Sequence, residues 1–490
     1  MENEDKLRGY LNRIIQTSPE LAESKIKTSD QKYFLIQRNY WKVLEMYINK
    51  FFDSSLKQRI VMVPGLRGIG KTTLLFKSYH FLLNTKNIPP ERLLYIDAGE
   101  LRDRIGSNVN ELIQIYEETY LEDSLEKMKK PLILFIDEAH YDNQWPSLAK
   151  SLFDRSEKVL IFVSGSSALA LRVTTDLSRR AIKDHLFPLS FQEYLALKKN
   201  FFPPQGTAQK IRVSLEGDLD SAYFVLKNTY NSLQKKITNN KINIDRELIN
   251  FLSLGASPLS LGESSNDLSF RWWIEVIDKV IKQDLPAFSQ IGRGSAPSIF
   301  GLLQFLAESV PSSQSLQSIS QKLERVSTTS VFNMFDALKN ACLLFEINQD
   351  IDSLRKVNKS SKYYFMHPTL RAALLWNIGK FKSNLIMNNT TTLGILFEDA
   401  IGATFFRNKE LKKHIIDLFF DDQKQGSDFV IKTSSGNIAV ECCWGKKDPG
   451  QVINTINRFN CKFGIIIAKT NSVSKNDNII TVPRGLFLFI

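Results

Sequence analysis

Four short apolar runs set the pattern of the first two hundred residues. They lie at 61–63, 93–97, 131–138 and 159–163, and each ends at a turn or at acidic or small polar residues. Uninterrupted apolar runs of this length are typical of parallel strands that are covered on both faces. A helical stretch is expected around 108–127, between two of these strands. The pattern therefore predicts an α/β core built on a parallel sheet.

The regions that flank this core have a helical period of apolar residues. Residues 198–292 are mostly helical in pattern, with turn-rich breaks, and we interpret them as a helical lid. Residues 293–386 follow an order of three helices and two strands, which predicts a winged helix-turn-helix. Ser327 is placed to cap the third helix, whose exposed positions include Thr328, Asn333 and Lys339. That helix either contacts DNA or packs internally, and the sequence leaves both interpretations open.

The last hundred residues have the pattern of a small α/β domain. A polar linker at 387–392 precedes a helix that opens at Leu393, and strands are expected at 427–431 and 438–443. The turn between these strands predicts a hairpin. The chain is thus expected to contain N-terminal helices (1–58), an α/β core (59–197), a helical lid (198–292), a winged helix (293–386) and a C-terminal domain (393–490).

The turn after the first apolar run carries the strongest chemical signal. Gly65, Gly70, Lys71 and Thr72 have the spacing of a P-loop, with a strand before it and a helix after it. Glycines let the backbone N–H groups of such a loop point at a phosphate, and the helix N-terminus adds its positive end. Lys71 can neutralise phosphate charge, and the Thr72 hydroxyl can bind Mg²⁺. The alternative is a chance glycine-rich turn. The segment predicts a nucleoside triphosphate site whose contacts are Gly65, Gly68, Gly70, Lys71, Thr72 and Thr73.

Two carboxylates end the apolar run at 131–138. Ligands of open α/β sheets bind at the carboxyl ends of the strands, so Asp137 is placed to hold Mg²⁺ together with Thr72. Glu138 is placed to polarise the attacking water as a general base. A surface pair of acids that caps a helix is the alternative.

Two further residues are candidates for sensing the γ-phosphate. Ser164 follows the run at 159–163 and can hydrogen-bond the phosphate or the water, although a helix N-cap at Ser166 or Ser167 competes with this interpretation. Arg180 can act as an arginine finger on its own site or on a neighbouring one. A solvated surface arginine is the alternative.

Composition narrows the class of protein. The 490 residues are 43% hydrophobic and 24% charged, as in ordinary globular proteins, and the net charge of +12 favours an acidic partner such as nucleic acid. Four cysteines without CxxC spacing suggest a reducing compartment. We expect no signal peptide, because the N-terminus is charged, and no membrane span. The expected location is the cytoplasm.

The order of these motifs resembles a known family. The P-loop, Ile-Asp-Glu-Ala-His at 136–140, Ser-Gly-Ser-Ser at 164–167 and Phe-Pro-Leu-Ser-Phe-Gln-Glu-Tyr-Leu at 187–195 are similar to the archaeal-type P-loop ATPases of the AAA+/STAND group. The resemblance implies ATP as the nucleotide. It also implies a helical lid, a winged helix and a C-terminal domain that resembles the PD-(D/E)XK nucleases.

The resemblance points to Glu398, Asp428 and Glu441 as a metal site in that C-terminal domain. Acids on two hairpin strands and on the preceding helix suit a Mg²⁺-dependent nuclease. However, Cys443 stands where the family pattern has a lysine, and a thiol is a poor substitute in an oxygen-ligand site. Lys432 or Lys446 could supply the missing cation. A nuclease-like fold retained for binding is the competing interpretation.

Taken together, the sequence predicts a Mg²⁺-dependent ATPase that acts as a switch or motor and associates with DNA. Two alternatives stay open: an ATP-gated, metal-dependent nuclease, and a non-hydrolysing signalling scaffold that binds ATP and self-associates or binds a partner protein. No membrane partner is expected.

Overall fold

The computed structural model of the chain divides into two compact units, Met1–Phe187 and Pro188–Ile490. The residues that it describes are 2–27, 38–121, 124–166, 175–263, 265–288, 292–323, 326–349, 360–380, 382, 389–445 and 448–490. The sequence Thr-Ser-Asp at 28–30 predicts a loop between two N-terminal helices, and it lies outside these ranges, as do Ser167 and Lys446.

The first unit is a parallel sheet flanked by helices. Its strands are β1 (Ile60–Pro64), β2 (Leu93–Asp97), β3 (Leu132–Asp137), β4 (Val159–Gly165) and β5 (Ala181–Lys183). Its helices are α1 (Glu2–Ile26), α2 (Asn39–Phe52), α3 (Lys71–Asn84), α4 (Ala98–Glu100), α5 (Val109–Tyr120), α6 (Trp145–Arg155) and α7 (Thr175–Ser178). The strand order is β2-β3-β4-β1-β5, and every pairing is parallel. The predicted parallel sheet is therefore confirmed.

Burial explains why the strands are apolar without alternation. Every residue of β1, β3 and β4 is buried, as expected when helices cover both faces of a parallel sheet. Helix α5 ends at Tyr120, short of the expected stretch to 127, and Asn108 caps its first turn by accepting from the Glu111 N–H.

Helices make up most of the second unit before its sheet begins. The helices of this unit are α8 (Phe191–Lys199), α9 (Thr207–Ser214), α10 (Leu219–Asn239), α11 (Ile244–Leu254), α12 (Pro258–Gly262), α13 (Asn266–Lys279), α14 (Leu285–Phe288), α15 (Ala296–Glu308), α16 (Leu316–Lys322), α17 (Thr328–Asn340), α18 (Pro368–Asn377), α19 (Thr390–Glu410) and α20 (Gly450–Phe459). Helix α19 begins three residues before the expected Leu393, because the Asn389 side chain accepts from the Thr392 N–H and caps the helix there.

One sheet of eight strands runs through the second unit. Its strands are β6 (Leu344–Gln349), β7 (Lys362–Phe365), β8 (Asp417–Phe420), β9 (Phe429–Thr433), β10 (Gly436–Cys442), β11 (Phe463–Ala468), β12 (Ser474–Asn476) and β13 (Ile479–Pro483). The order is β12-β13-β11-β10-β9-β8-β6-β7. The expected hairpin after α17 is β6–β7, and β6 also pairs in parallel with β8 through Asn348–Phe419 and Gln349–Phe420. The hairpin and the C-terminal strands therefore belong to one sheet.

A buried ion pair joins three helices of this unit. Arg371 of α18 and Asp399 of α19 are 1% and 0% exposed, and the guanidinium donates to both carboxylate oxygens, with Nη2 3.0 Å from Oδ1. Arg371 Nη1 also donates to the main-chain oxygens of Leu306 and Ser309 at the end of α15, at 2.7 and 2.9 Å. These bonds compensate for the removal of both charges from water.

Within the described residues, no helix is both long enough and apolar enough to span a bilayer.

We expect the change Arg371→Leu to lower the free energy of unfolding by roughly 3–5 kcal/mol, because it leaves the Asp399 carboxylate buried and unpaired. Urea denaturation followed by tryptophan fluorescence measures the effect. The matched control is Lys282→Leu, which removes an exposed ion pair of 2.9 Å with Asp278 and should cost at most about 0.5 kcal/mol. Equal losses in the two variants would contradict a special role for the buried pair.

Candidate functional site

The P-loop lies between β1 and α3 at the carboxyl edge of the first sheet. Gly68 and Gly70 have φ angles of 77° and 98°, in the left-handed region that favours glycine. At Gly65 a Cβ atom would lie 2.5 Å from the main-chain oxygen of Leu186, so only glycine fits against this neighbouring segment. The loop therefore requires glycine for two separate reasons, backbone conformation and close approach.

Lys71 points back into this loop. Its Nζ donates to the main-chain oxygens of Gly65 and Leu66, both at 3.0 Å, and the residue is only 5% exposed. The ammonium is thus held where the loop surrounds it. Thr73 follows in the first turn of α3 and is half-buried.

The Asp137 carboxylate at the end of β3 is the centre of the site. It is 2% exposed and accepts hydrogen bonds from three hydroxyl groups and one main-chain N–H. Thr72 Oγ1 and Tyr95 OH donate to Oδ2 at 2.7 and 2.8 Å. Ser164 Oγ and the Glu138 N–H donate to Oδ1. A buried carboxylate needs such donors to remain charged.

Strand order explains why these side chains meet. Strand β4 lies between β1 and β3, so its tip, Ser164, lies between the P-loop and Asp137. Asp97 at the end of β2 is the register partner of Asp137. Burial, and then the nearby Asp137 charge, raise the pKa of Asp97 above its ordinary value.

Glu138 has a left-handed backbone, with φ 49° and ψ 36°. Its Oε2 lies 3.2 Å from Nδ1 of His140, which is almost fully buried. Sequence reasoning missed both His140 and Tyr95. Tyr95 could have been identified as a polar side chain in an apolar run, two residues before the end of its strand. His140 could have been identified because it lies two residues after the acidic pair.

The side-chain oxygen atoms near the P-loop are suitable ligands for Mg²⁺. This ion prefers hard oxygen ligands and usually takes one or two carboxylates while keeping water and substrate phosphate as its other ligands. Thr72 and Asp137 supply one hydroxyl and one carboxylate side by side. In the described part of the chain no group of three or more His, Cys, Asp or Glu side chains is placed to hold a metal.

Arg180 does not join the other site residues of its own chain. It directly precedes β5, whose first residue Ala181 is in register with Ile60, the first residue of β1. The P-loop follows the other end of β1, about 13 Å further along the strand. Arg180 instead forms a two-bond ion pair with Asp154 of α6, at 2.8 and 3.1 Å.

The three acids predicted as a metal site in the second unit all accept hydrogen bonds from neighbouring groups. Glu441 accepts from the Asp428 N–H at 3.1 Å, and Asp428 accepts from the Cys442 N–H at 2.9 Å. These two bonds brace the ends of β9 and β10 against each other. Glu398 of α19 accepts from the hydroxyl of Tyr364 at 2.8 Å.

Of the two lysines considered as a replacement for the family lysine, Lys432 and Lys446, only Lys432 lies within the described residues. Cys443 packs on the apolar cluster beneath α20. Lys432 is exposed and is the register partner of Asp417 on β8. Lys362 of β7 is the cation whose charge acts on Glu398.

Burial, and then the charge of Asp428, raise the pKa of Glu398 to about 8. The same burial, together with the charges of Asp428, Glu398 and Glu441, raises the pKa of the Cys442 thiol. The acids therefore lie close enough to influence one another.

Two models of known protein families match parts of this chain. Residues 57–195 match the family model described as the AAA domain, and residues 245–380 match a domain of unknown function. An uncharacterised protein of Methanocaldococcus jannaschii is 27% identical over 450 residues, which cover 91% of this chain and 88% of the relative. An uncharacterised protein of Haemophilus influenzae is 22% identical over 350 residues, or 70% of this chain and 76% of the relative.

Solved structures give more distant likenesses. The Walker-type ATPase of Pyrococcus abyssi has a TM-score of 0.38 at 15% identity, covering 67% of this chain and 95% of that protein. The ORC2 protein of Aeropyrum pernix has a TM-score of 0.33 at 13% identity, covering 72% of this chain and 95% of that protein. Scores this low do not establish a shared overall fold. The AAA match and the parallel sheet with its P-loop support a P-loop NTPase core in the first unit.

Glu398 should make stability depend on pH. Its folded pKa of about 8 lies above its ordinary value of 4.5, so between these values the folded state holds more protons than the unfolded state. Stability from this group is fully present below about pH 4.5 and is lost as the pH rises through about 8. We expect Glu398→Gln, which still accepts from Tyr364, to remove this loss.

The measurement is urea denaturation at several pH values, with the exposed Glu410→Gln on the same helix as control. A Glu398→Gln variant whose stability follows the wild-type pH dependence would show that Glu398 is ionised in the folded protein.

Proposed function

We propose that this chain is a Mg²⁺-dependent ATPase that uses ATP binding and hydrolysis as a switch or motor. The observation that carries the proposal is the 2.7 Å hydrogen bond between Thr72 Oγ1 and Asp137 Oδ2. It joins the helix that opens the P-loop to the acid that ends β3, which is the pairing required for a metal-bound triphosphate. The AAA match over 57–195 supports the same reaction class.

In this proposal the P-loop residues bind the triphosphate. The loop amides between Gly65 and Gly70 and the N-terminus of α3 bind phosphate oxygens. The Lys71 ammonium exchanges its two main-chain acceptors for phosphate oxygens, so binding replaces hydrogen bonds that already exist. Thr72 and Asp137 would hold Mg²⁺, which supplies positive charge to the β- and γ-phosphates.

Glu138 acts as the general base toward the attacking water. Its contact with His140 and its constrained backbone fix where the carboxylate lies. Ser164 serves as the γ-phosphate sensor, because it already bonds the same carboxylate as Thr72. Tyr95 orients Asp137 and is a positioning residue.

We assign Arg180 to the site of a neighbouring subunit rather than to its own. Its place at the amino edge of the sheet supports this choice, since the P-loop of the same chain lies at the carboxyl edge. The proposal therefore includes self-association. The ion pair with Asp154 would have to open for Arg180 to act on phosphate.

The second unit is proposed to contain the helical lid, a winged helix over α15 to β7 and a nuclease-like C-terminal domain. The order of α15, α16, α17 and the β6–β7 hairpin supports the winged helix. The β9–β10 hairpin with one acid near each strand end supports the nuclease-like domain.

We propose that the nuclease-like domain binds rather than cleaves. Its three acids already accept hydrogen bonds, Cys443 replaces the lysine, and the described residues hold no cluster of three or more metal-ligating acids, cysteines or histidines. The nuclease alternative therefore gains no support.

DNA association is proposed from the net charge of +12. Helix α17 itself contributes little to phosphate binding. Its exposed side includes Thr328, Phe332 and Asp336, and Lys339 pairs with Glu346 at 2.7 Å.

The change Glu138→Gln should keep ATP binding and lower the turnover roughly 100- to 10,000-fold, because it removes the base but not the phosphate contacts. Phosphate release measures turnover, and calorimetric titration with ATP and Mg²⁺ measures binding. Glu20→Gln on α1 is the control. Unimpaired turnover removes Glu138 from this role, whereas tight binding without any wild-type turnover favours the signalling scaffold.

Adding duplex DNA should raise the ATP turnover of the wild-type chain, and the increase should fall steeply between about 50 and 200 mM salt because phosphate contacts release counterions. Turnover at matched ionic strength without DNA is the control. A turnover that no DNA form changes at low salt would contradict the DNA association but would leave the ATPase assignment intact.

A further inference from the structure

The first unit has a cavity that lies away from the P-loop. It measures about 430 Å³ and is lined by residues at the end of α2 and by residues that precede β1, β3 and β4. It therefore lies at the amino edge of the sheet, whereas the P-loop follows the carboxyl end of β1. The cavity and the P-loop thus lie at opposite ends of β1, which is about 13 Å long.

The wall of this cavity is strongly basic. Lys57, Arg59, Lys129 and Lys158 line it together with a single carboxylate, Glu157. All three lysines are exposed, so they form the rim of the cavity. Like charges gathered around a concave, partly dry surface raise the local concentration of anions.

Arg59 is the buried member of this group. It is 9% exposed, and its terminal nitrogens donate to the main-chain oxygens of Phe153 and Val159, at 2.9 and 3.2 Å, and of Ser156. Within the described residues no carboxylate lies in ion-pair contact with it. Burial lowers the pKa of Arg59, while the charges of Glu157 and Asp154 act in the opposite direction. A guanidinium stays charged near neutral pH, so Arg59 adds positive charge to the floor of the cavity.

Aromatic rings form the apolar part of the wall. Phe51 and Phe52 meet edge to face with ring centres 5.4 Å apart, and Phe153 stacks beneath the Arg59 guanidinium at 4.0 Å. Phe52 and Phe153 are partly exposed. Cations beside aromatic rings are the combination that binds the phosphates and planar bases of single nucleotides or single strands.

We propose that this cavity binds a nucleotide, either free or as one residue of a single nucleic-acid strand. The volume lies in the range of small-molecule sites and is too small for a duplex. The lysines of the rim bind phosphate, Arg59 supplies the positive floor, and Phe52 contacts the base. The site is separate from the P-loop and does not rest on the proposed ATPase.

The test uses the full chain and two probes, a fluorescein-labelled strand of eight thymidines and free thymidine monophosphate. We expect Lys57→Glu with Lys158→Glu to weaken binding of the strand roughly tenfold or more at low salt. The matched control, Lys25→Glu with Lys42→Glu, makes the same charge change on exposed lysines of α1 and α2. Fluorescence anisotropy reports the strand, and calorimetry reports the monophosphate.

Two further variants distinguish this site from the P-loop and from charge attraction alone. Phe52→Ala should weaken the strand about fivefold or more, because it removes a stacking surface. Lys71→Ala, which disables the P-loop, should leave strand binding unchanged. The urea denaturation midpoint of the Lys57→Glu, Lys158→Glu protein should equal that of the wild type, which shows that the variant is folded without relying on ATP turnover.

The outcomes are distinct. Loss of both probes in the Lys57→Glu, Lys158→Glu protein indicates a nucleotide site. If the wild type binds the strand but not the monophosphate, and the variant no longer binds the strand, the ligand is a nucleic-acid strand rather than a free nucleotide. The proposal is overturned if neither probe binds the wild type, if both charge-reversed proteins lose equally, or if Lys71→Ala abolishes strand binding. Displacement of the strand by polyglutamate as effectively as by unlabelled strand would indicate an acidic protein partner and would also overturn it.

Discussion

A single buried carboxylate fixes the geometry of the first unit at the carboxyl edge of its sheet. Asp137 is out of water, and an ionised acid can remain there only where donors surround it. The donors are supplied by α3, β2 and β4 and by the residue that follows Asp137 itself. The P-loop helix, the neighbouring strand tips and the αL residue Glu138 are therefore tied to one point. Any ligand that enters must exchange bonds with this network rather than fill empty space.

The second unit meets the same constraint in a different way. Arg371 and Asp399 neutralise each other deep inside, and the spare donors of the guanidinium go to carbonyls at a helix end. Hydroxyl donors such as Thr72 can rotate away from Asp137, but the carbonyl partners of Arg371 are part of the helix backbone. The first arrangement suits a site that exchanges ligands. The second suits a permanent structural contact.

The sequence predicted the features that depend on local pattern. The P-loop and the acids at 137–138 were identified because their spacing is short-range, and the buried strands because both faces are apolar. The features it missed depend on which strands become neighbours. Tyr95 reaches Asp137 because β2 lies beside β3, and Arg180 lies at the amino edge of the sheet because β5 runs parallel to β1. Ser164 is among the predicted residues, but its bond to Asp137 also depends on the strand order. In the same way, the bonds between the ends of β9 and β10 follow from a register that spacing alone does not give.

The parallel contact between β6 and β8 has a consequence for how this chain can change in evolution. Within the described residues, two register pairs, Asn348–Phe419 and Gln349–Phe420, join the main chain of the hairpin to the C-terminal strands and make one continuous sheet. A recombination event that replaced the C-terminal strands would leave the main-chain groups at the end of β6 without their partner and would create a sheet edge open to aggregation. A replacement segment would therefore have to offer β6 a strand edge in the same parallel register.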